Sequence, residues 1–148
     1  MEDICEAFHI DKKLSVPLFK QIIVQIEHFI LLDIWKTDTV LPSLRTLASH
    51  LNINVNTVQK SYTILKDQNI IYVYHSEKWL ISENAKHILQ LEYEKRLDEL
   101  YEIAFELYLM HVDQAEVIFR IRQAYFDVET YKKHLMEKCG STYLSSTT

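Results

Sequence analysis

The chain has 148 residues, 48% of them hydrophobic and 25% charged, with 16 Lys and Arg against 21 Asp and Glu for a formal charge of −5. That length fits one domain or a small domain with an appendage, the apolar fraction supports a core, and the net acidity argues against diffuse, nonspecific nucleic-acid binding. A single glycine, Gly140, and two prolines, Pro17 and Pro42, supply little material for tight hairpins or a Gly-rich phosphate loop, so a mainly helical fold is expected.

The charge is unevenly spread. From Pro17 to Ser82 six basic residues stand against five acidic ones, whereas residues 83–148 carry eight against twelve and residues 1–16 two against four. Cys5 and Cys139 are far apart and form no CxxC, which reads as two reduced thiols rather than a zinc or redox site. The seven histidines, at 9, 28, 50, 75, 87, 111 and 134, include no pair at i,i+4, so neither a metal nor another cofactor is expected. No hydrophobic run is long enough to span a bilayer, and the N-terminal MEDICEAF is acidic and only briefly apolar, unlike a secretory signal. A cytoplasmic protein with no membrane partner is expected.

Taken in order, residues 1–16 are polar and irregular, with one alternating piece at Phe8 to Ile10, and are expected to rest loosely on the domain. Pro17 opens a helix whose Leu18, Phe19, Ile22, Ile23, Ile26, Phe29 and Ile30 form a broad apolar stripe. Asp33 to Thr39 read as a connecting loop with Trp35 as a packing plug. Then come two short helical patterns back to back, LPSLRTLASHLNINVNTVQKSYTILK over residues 41–66, with a polar break at Asn52 to Asn54. Leu44, Leu47, Ala48 and Leu51 make one stripe, and Val58, Tyr62 and Leu65 the other. Ser43 can cap the first helix and Asn54 the second. Asn56, Thr57, Gln59 and Lys60 then project away from the buried stripe, on the turns with which a recognition helix meets base edges. Asn and Gln can pair bidentately with adenine, Thr can touch a thymine methyl, and Lys60 and Arg45 suit phosphate or guanine. The same periodicity also fits two core helices whose Asn and Thr only satisfy free helix-end amides.

After Lys66, Ile70 to Tyr74 and, beyond the polar break His75 to Lys78, Trp79 and Ile81 are β-branched, aromatic or apolar, which predicts two short strands joined by a loop. Three helices followed by such a hairpin describe a winged helix-turn-helix. The run LPSLRTLASHLNINVNTVQKSYTILKDQNIIY resembles the winged-helix domain of GntR-family bacterial transcription regulators, and FHIDKKLSVPLFKQI and NVNTVQKSY are similar to the YtrA-type branch. The resemblance covers the first 82 residues. It implies DNA contacts from Arg45, in the arginine position of the lead-in motif, and from Ser43, Asn54, Val55, Asn56, Thr57, Gln59 and Lys60. Val55 stands where the family commonly has arginine or proline, and Gln59 where many members have arginine. The wing HSEKW lacks the usual glycines and carries Glu77, leaving His75 and Lys78 as its candidate contacts; a hairpin that only completes the fold is the alternative.

From Ser82 helical periodicity returns. Tyr93, Leu97, Leu100, Ala104, Leu107 and His111 follow steps of four and three like a heptad seam, widened by Tyr101, Phe105 and Tyr108. A second helix is expected to start with Asp113 as cap and Glu116 in capping-box spacing, with Ile118, Ile121, Tyr125, Val128 and Leu135 as its stripe. The pair would form an antiparallel hairpin with apolar surface left over, which marks a partner interface. Dimerisation is therefore expected through Leu97, Leu100, Tyr101, Ala104, Phe105, Leu107, Tyr108, Ile118, Ile121 and Tyr125. The resemblance agrees, since YtrA-type regulators dimerise through short helical C-terminal regions. This tail is smaller than the effector-binding domains of other GntR branches, so a large small-molecule pocket is not expected; Tyr101, Phe105, Tyr108 and Tyr125 read as core packing ahead of a ligand cleft, and any small-molecule effector is unspecified.

The expected organisation is a mainly α chain: a winged helix-turn-helix at 1–82 with a small two-stranded wing, a helical hairpin for dimerisation at 83–139, and a disordered Ser/Thr-rich tail at 140–148. The expected function is a homodimeric repressor that binds double-stranded DNA at an inverted repeat. The rival is a winged helix that has lost DNA reading and serves as a protein-interaction module, favoured by the net acidity, the acidic wing and Val55. No nucleophile motif, phosphate loop or metal-ligand spacing points to an enzyme.

Overall fold

Pro17, with φ −55 and no backbone N–H to satisfy, stands at the N-cap of helix α1, Leu18–Leu31. Strand β1 (Val40–Leu41) leads into the helix pair α2 (Leu44–Leu51) and α3 (Val55–Asp67), strands β2 (Ile71–Tyr74) and β3 (Lys78–Ile81) come next, and two long helices, α4 (Ala85–Leu109) and α5 (Gln114–Cys139), follow. The computed structural model describes residues 4–139, and the side chains of those up to Asp127. Val128, Leu135, Cys139 and the Ser/Thr-rich tail therefore lie outside the residues whose side chains are described. By contacts the chain divides into two units, Met1–Leu91 and Glu92–Thr148.

The first unit buries the stripes that its periodicity marks. Ile22, Ile23, Ile26 and Ile30 of α1 meet Leu47 and Ala48 of α2 and Val58, Tyr62 and Leu65 of α3, and Leu44, Leu51 and Ile64 lie half-buried against them. Trp35 closes this core, with its ring centroid 4.6 Å from Phe29 and 5.4 Å from Phe8. The sheet is antiparallel in the order β1-β3-β2, with Val40 opposite Leu80 and Ile71 opposite Ile81. β1 is an addition to the expected two-stranded wing; two residues are too few to carry an alternation.

The N-terminal segment departs from expectation. It does not rest loosely: Ile4–Ala7 form a short 3-10 helix, and Cys5, Ala7 and Phe8 are buried. Two α1 glutamines, one turn apart, hold the residues from His9 to Val16. Gln25 Oε1 accepts from His9 N at 2.8 Å while its Nε2 donates to His9 O. Gln21 Oε1 accepts from Asp11 N at 2.9 Å and its Nε2 donates to Asp11 O at 3.0 Å and to Val16 O at 2.8 Å. Each side-chain amide thus presents one donor and one acceptor to every second residue of an extended segment, as a neighbouring strand would.

Glycine poverty is met by other residues. α1, α2, α3 and α4 are each followed by a left-handed residue, Asp33, Asn52, Asn69 and His111, with φ between 52 and 60. In each case the next amide donates five residues back, as Ile53 N does to Ala48 O at 3.0 Å and Ile70 N to Leu65 O at 2.9 Å. These are Schellman-type ends, in which a short polar side chain tolerates the conformation that glycine adopts most readily.

In the second unit Asp113 caps α5, its Oδ1 accepting from Ala115 N at 2.8 Å. The expected capping box is not completed, because the Glu116 carboxylate instead accepts from Arg120 Nε at 2.8 Å. Among the described residues from Glu92 onward none is buried, and only Ala104, Leu107, Val112, Val117 and Ile121 are half-buried. The aromatic set expected in a core is exposed in the single chain, with Tyr101 at 68%, Tyr108 at 71% and Tyr125 at 70%.

Candidate nucleic-acid interface

The helix pair is set by its caps and its turn. Ser43 Oγ accepts from Thr46 N at 3.1 Å to start α2, and Asn54 Oδ1 accepts from Asn56 N at 2.8 Å to start α3. Between them Asn52, left-handed at φ 52, reverses the chain. Its carbonyl also accepts from Lys12 Nζ at 3.0 Å, so the N-terminal segment braces the turn.

Tyr62 ties the pieces of this surface together. Its hydroxyl donates to Pro42 O at 2.9 Å, just ahead of Ser43, and its ring meets Trp79 of β3 edge-on at 5.2 Å. Burial pushes its phenol well above the ordinary tyrosine range, with a smaller contribution from Cys5, so the hydroxyl stays a donor throughout physiological pH. The α2 approach, the recognition-like helix and the wing strand therefore share one fully buried ring.

With Val58, Ser61, Tyr62 and Leu65 buried, the opposite face of α3 turns outward. Asn56, Gln59 and Lys60 are exposed and Thr57 is half-buried. Ser43, Arg45 and Asn54 are exposed as well, and Val55 is 37% exposed. The oxygens of Ser43 and Asn54 are already engaged in capping. Lys60 is not extended freely: its Nζ lies 3.8 Å from the centre of the Phe19 ring. Among the described residues no ion pair engages Arg45, Lys60 or Lys78.

The wing turn between β2 and β3 holds His75 and Ser76, both at positive φ, followed by Glu77. His75, Glu77 and Lys78 are exposed, and the imidazole of His75 sits edge-on to Tyr74 at 4.1 Å. Two residues escaped sequence reading. Thr63 is exposed one turn beyond Gln59, where the 56, 59/60, 63 spacing of the outward face would have found it. Lys12 carried no local signal, because its contact lies 40 residues away. Among the expected dimer residues Leu97, Leu100, Tyr101, Phe105, Tyr108, Ile118 and Tyr125 are exposed, and Ala104, Leu107 and Ile121 half-buried.

Among the described residues no cluster of His, Cys, Asp or Glu is arranged to hold a metal ion, and no helix is long and apolar enough to cross a membrane. A helix-turn-helix followed by an antiparallel hairpin defines a winged-helix protein of the kind found in transcription regulators. No family model matches the chain. It is 41% identical over 80 residues to the HTH-type transcriptional repressor YtrA of Bacillus subtilis, a match over 54% of this chain and 62% of that one. It is 34% identical to YtrA from Sulfolobus acidocaldarius, a GntR-family transcription factor, over 62% of this chain and 98% of that one, with a TM-score of 0.49. A GntR family transcriptional regulator from Listeria monocytogenes superposes with a TM-score of 0.55 at 25% identity, covering 77% of this chain and 98% of that one. The chain is thus similar to GntR-family transcription regulators, and over 80 residues to a repressor of the YtrA type.

Proposed function

We propose that this protein is a homodimeric repressor that reads double-stranded DNA, the winged helix at 1–82 binding DNA and the helices at 83–139 joining two copies. The observation that carries the reading is the outward face of α3: Asn56, Gln59 and Lys60 are exposed on a helix whose other side is fully buried. A rigid helix that projects amides and a cation can enter a major groove, with Asn56 and Gln59 facing base edges and Arg45 and Lys60 the backbone. The name of its Bacillus relative, a transcriptional repressor, supports the same direction of control.

The dimer is supported by surface that one chain leaves uncovered. Leu97, Leu100, Tyr101, Phe105, Tyr108, Ile118 and Tyr125 are at least 40% exposed, an apolar excess that a second copy would cover. A two-fold dimer places its two recognition helices one helical turn of DNA apart, or a multiple of that, so the operator is an inverted repeat. The wing contributes through His75 and Lys78, with Glu77 opposing phosphate.

Selection from a random pool of double-stranded DNA at near-physiological salt tests the proposal. Recovery of an inverted repeat, bound less well after Asn56→Ala or Arg45→Ala, is the expected result. A folded chain that enriches no sequence overturns the DNA reading. A monomeric mass in sedimentation at micromolar concentration overturns the dimer.

A further inference from the structure

We infer that Phe19 is a positioning residue for DNA binding: its ring fixes the ammonium of Lys60 beside α1, where it meets a backbone phosphate. The inference rests on the reading of α3 as the helix that enters the groove. Lys60 is exposed and reaches from α3 to place Nζ 3.8 Å from the Phe19 ring centre, inside the range in which the negative ring face attracts a cation. Two further observations fix that ring. Phe19 is half-buried against the core, and its carbonyl accepts from the Ser61 hydroxyl at 2.9 Å, locking the first turn of α1 to the middle of α3.

The placement says which DNA group the lysine meets. A side chain drawn toward a neighbouring helix leaves the strip of α3 that can approach base edges and comes to the wall of the groove, which is phosphate. The ammonium is a compact charge with three donors, without the planar fork that suits bidentate base reading. A ring beneath one side leaves the outer side for an oxygen anion, so the two contacts coexist. Holding a four-carbon side chain in place before DNA arrives removes ordering entropy from the binding step. Phe19 thus acts on affinity through Lys60 and not on sequence preference.

The test compares Phe19→Leu, which keeps apolar bulk without a ring, with Phe19→Tyr, which keeps the ring. The full chain is titrated with a duplex recovered by selection and with a mixed-sequence duplex at low salt. Phe19→Leu is expected to weaken both by roughly two- to five-fold, the scale of an exposed cation–π contact, without changing the salt slope. Phe19→Tyr leaves both unchanged, and in a Lys60→Gln background, where the slope falls by about one, Phe19→Leu has no further effect. In the DNA-free chain the Lys60 Hε protons are shifted upfield by the ring, a shift lost with Phe19→Leu and kept with Phe19→Tyr. Equal losses from both variants, an undiminished loss in the Lys60→Gln background, tighter binding by Phe19→Leu, or no ring-dependent shift would each overturn the inference while leaving the DNA reading in place. A parent chain that binds neither duplex overturns the DNA reading and this role with it.

Discussion

Replacing Gln21 by leucine tests whether side-chain amides, rather than apolar contact alone, hold the N-terminal segment. Gln21 is 1% exposed and makes three bonds, to Asp11 N, Asp11 O and Val16 O, at 2.8 to 3.0 Å. A neutral hydrogen bond contributes about 1 kcal/mol net, so three removed together cost about 3 kcal/mol. Leucine is close to glutamine in size and adds apolar burial that returns about 1 kcal/mol. The expected loss is about 2 kcal/mol, against a total stability on the order of 5–15 kcal/mol for a domain. Urea denaturation at fixed protein concentration measures it, the concentration being held because subunit association contributes to apparent stability. Cys5, buried at 3% and four residues from His9, reports the same event chemically. In a Cys139→Ser background its thiol should react with a disulfide reagent several-fold faster once the segment is released. A stability change below about 0.5 kcal/mol with unaltered Cys5 reactivity would refute the argument, because three buried bonds cannot vanish at so small a cost.

Asn54→Ala removes the cap that Asn54 Oδ1 makes to Asn56 N and should cost about 1 kcal/mol of stability. Asn56→Ala leaves stability within about 0.5 kcal/mol, as an exposed substitution does, but weakens binding to the selected duplex, so denaturation and binding assays separate capping from recognition. Ser76, at φ 52 and ψ −26, occupies a conformation that a Cβ disfavours, so Ser76→Gly should raise the urea midpoint by the equivalent of about 1 kcal/mol. Burial holds the His9 imidazole below its usual 6.5, with His50 adding to the depression and a backbone hydrogen bond at Glu6 opposing it. A depressed value means that the unfolded chain takes up the proton first as pH falls. His9 therefore supports stability fully above 6.5 and loses that support as pH drops from 6.5 through the folded value, a slope that His9→Gln should flatten in denaturation series.

Where burial follows a helical period, the sequence already contains the answer: Leu47 and Ala48, and Val58, Tyr62 and Leu65, are marked by spacing alone and lie in the core. The caps Ser43 and Asn54 are legible for a similar reason, since each bond closes within three residues. What escapes is contact between distant residues. Gln21 and Gln25 look like solvent-facing positions because a carboxamide in an otherwise apolar helix carries no mark of what it bonds, and their partners lie 10 and 16 residues away. The Lys60 and Phe19 pair joins two helices, and neither residue departs from its own helical pattern. Helix ends are obscured for another reason. A rule that looks for glycine finds none at Asp33, Asn52, Asn69 or His111, although the left-handed conformation is there in each case.

Apolar periodicity states what must be covered and is silent on what covers it. In the first unit every marked stripe finds its cover inside the chain, and buried side-chain polar atoms among the described residues all have partners. In α4 beyond Leu91 and in α5 the same kind of pattern leaves Leu97, Leu100 and Phe105 at 40% exposure or more. The two cases share one sequence signal and differ only in whether the cover lies in the same chain. Exposed apolar surface on this scale carries a cost in water that scales with its area, and a second copy presents the same stripes without requiring any further sequence feature. The excess of periodic apolar residues over what one chain can bury is thus the physical reason for proposing the dimer, and for seeking its interface in the helices that flank residues 110–113 rather than in the winged helix.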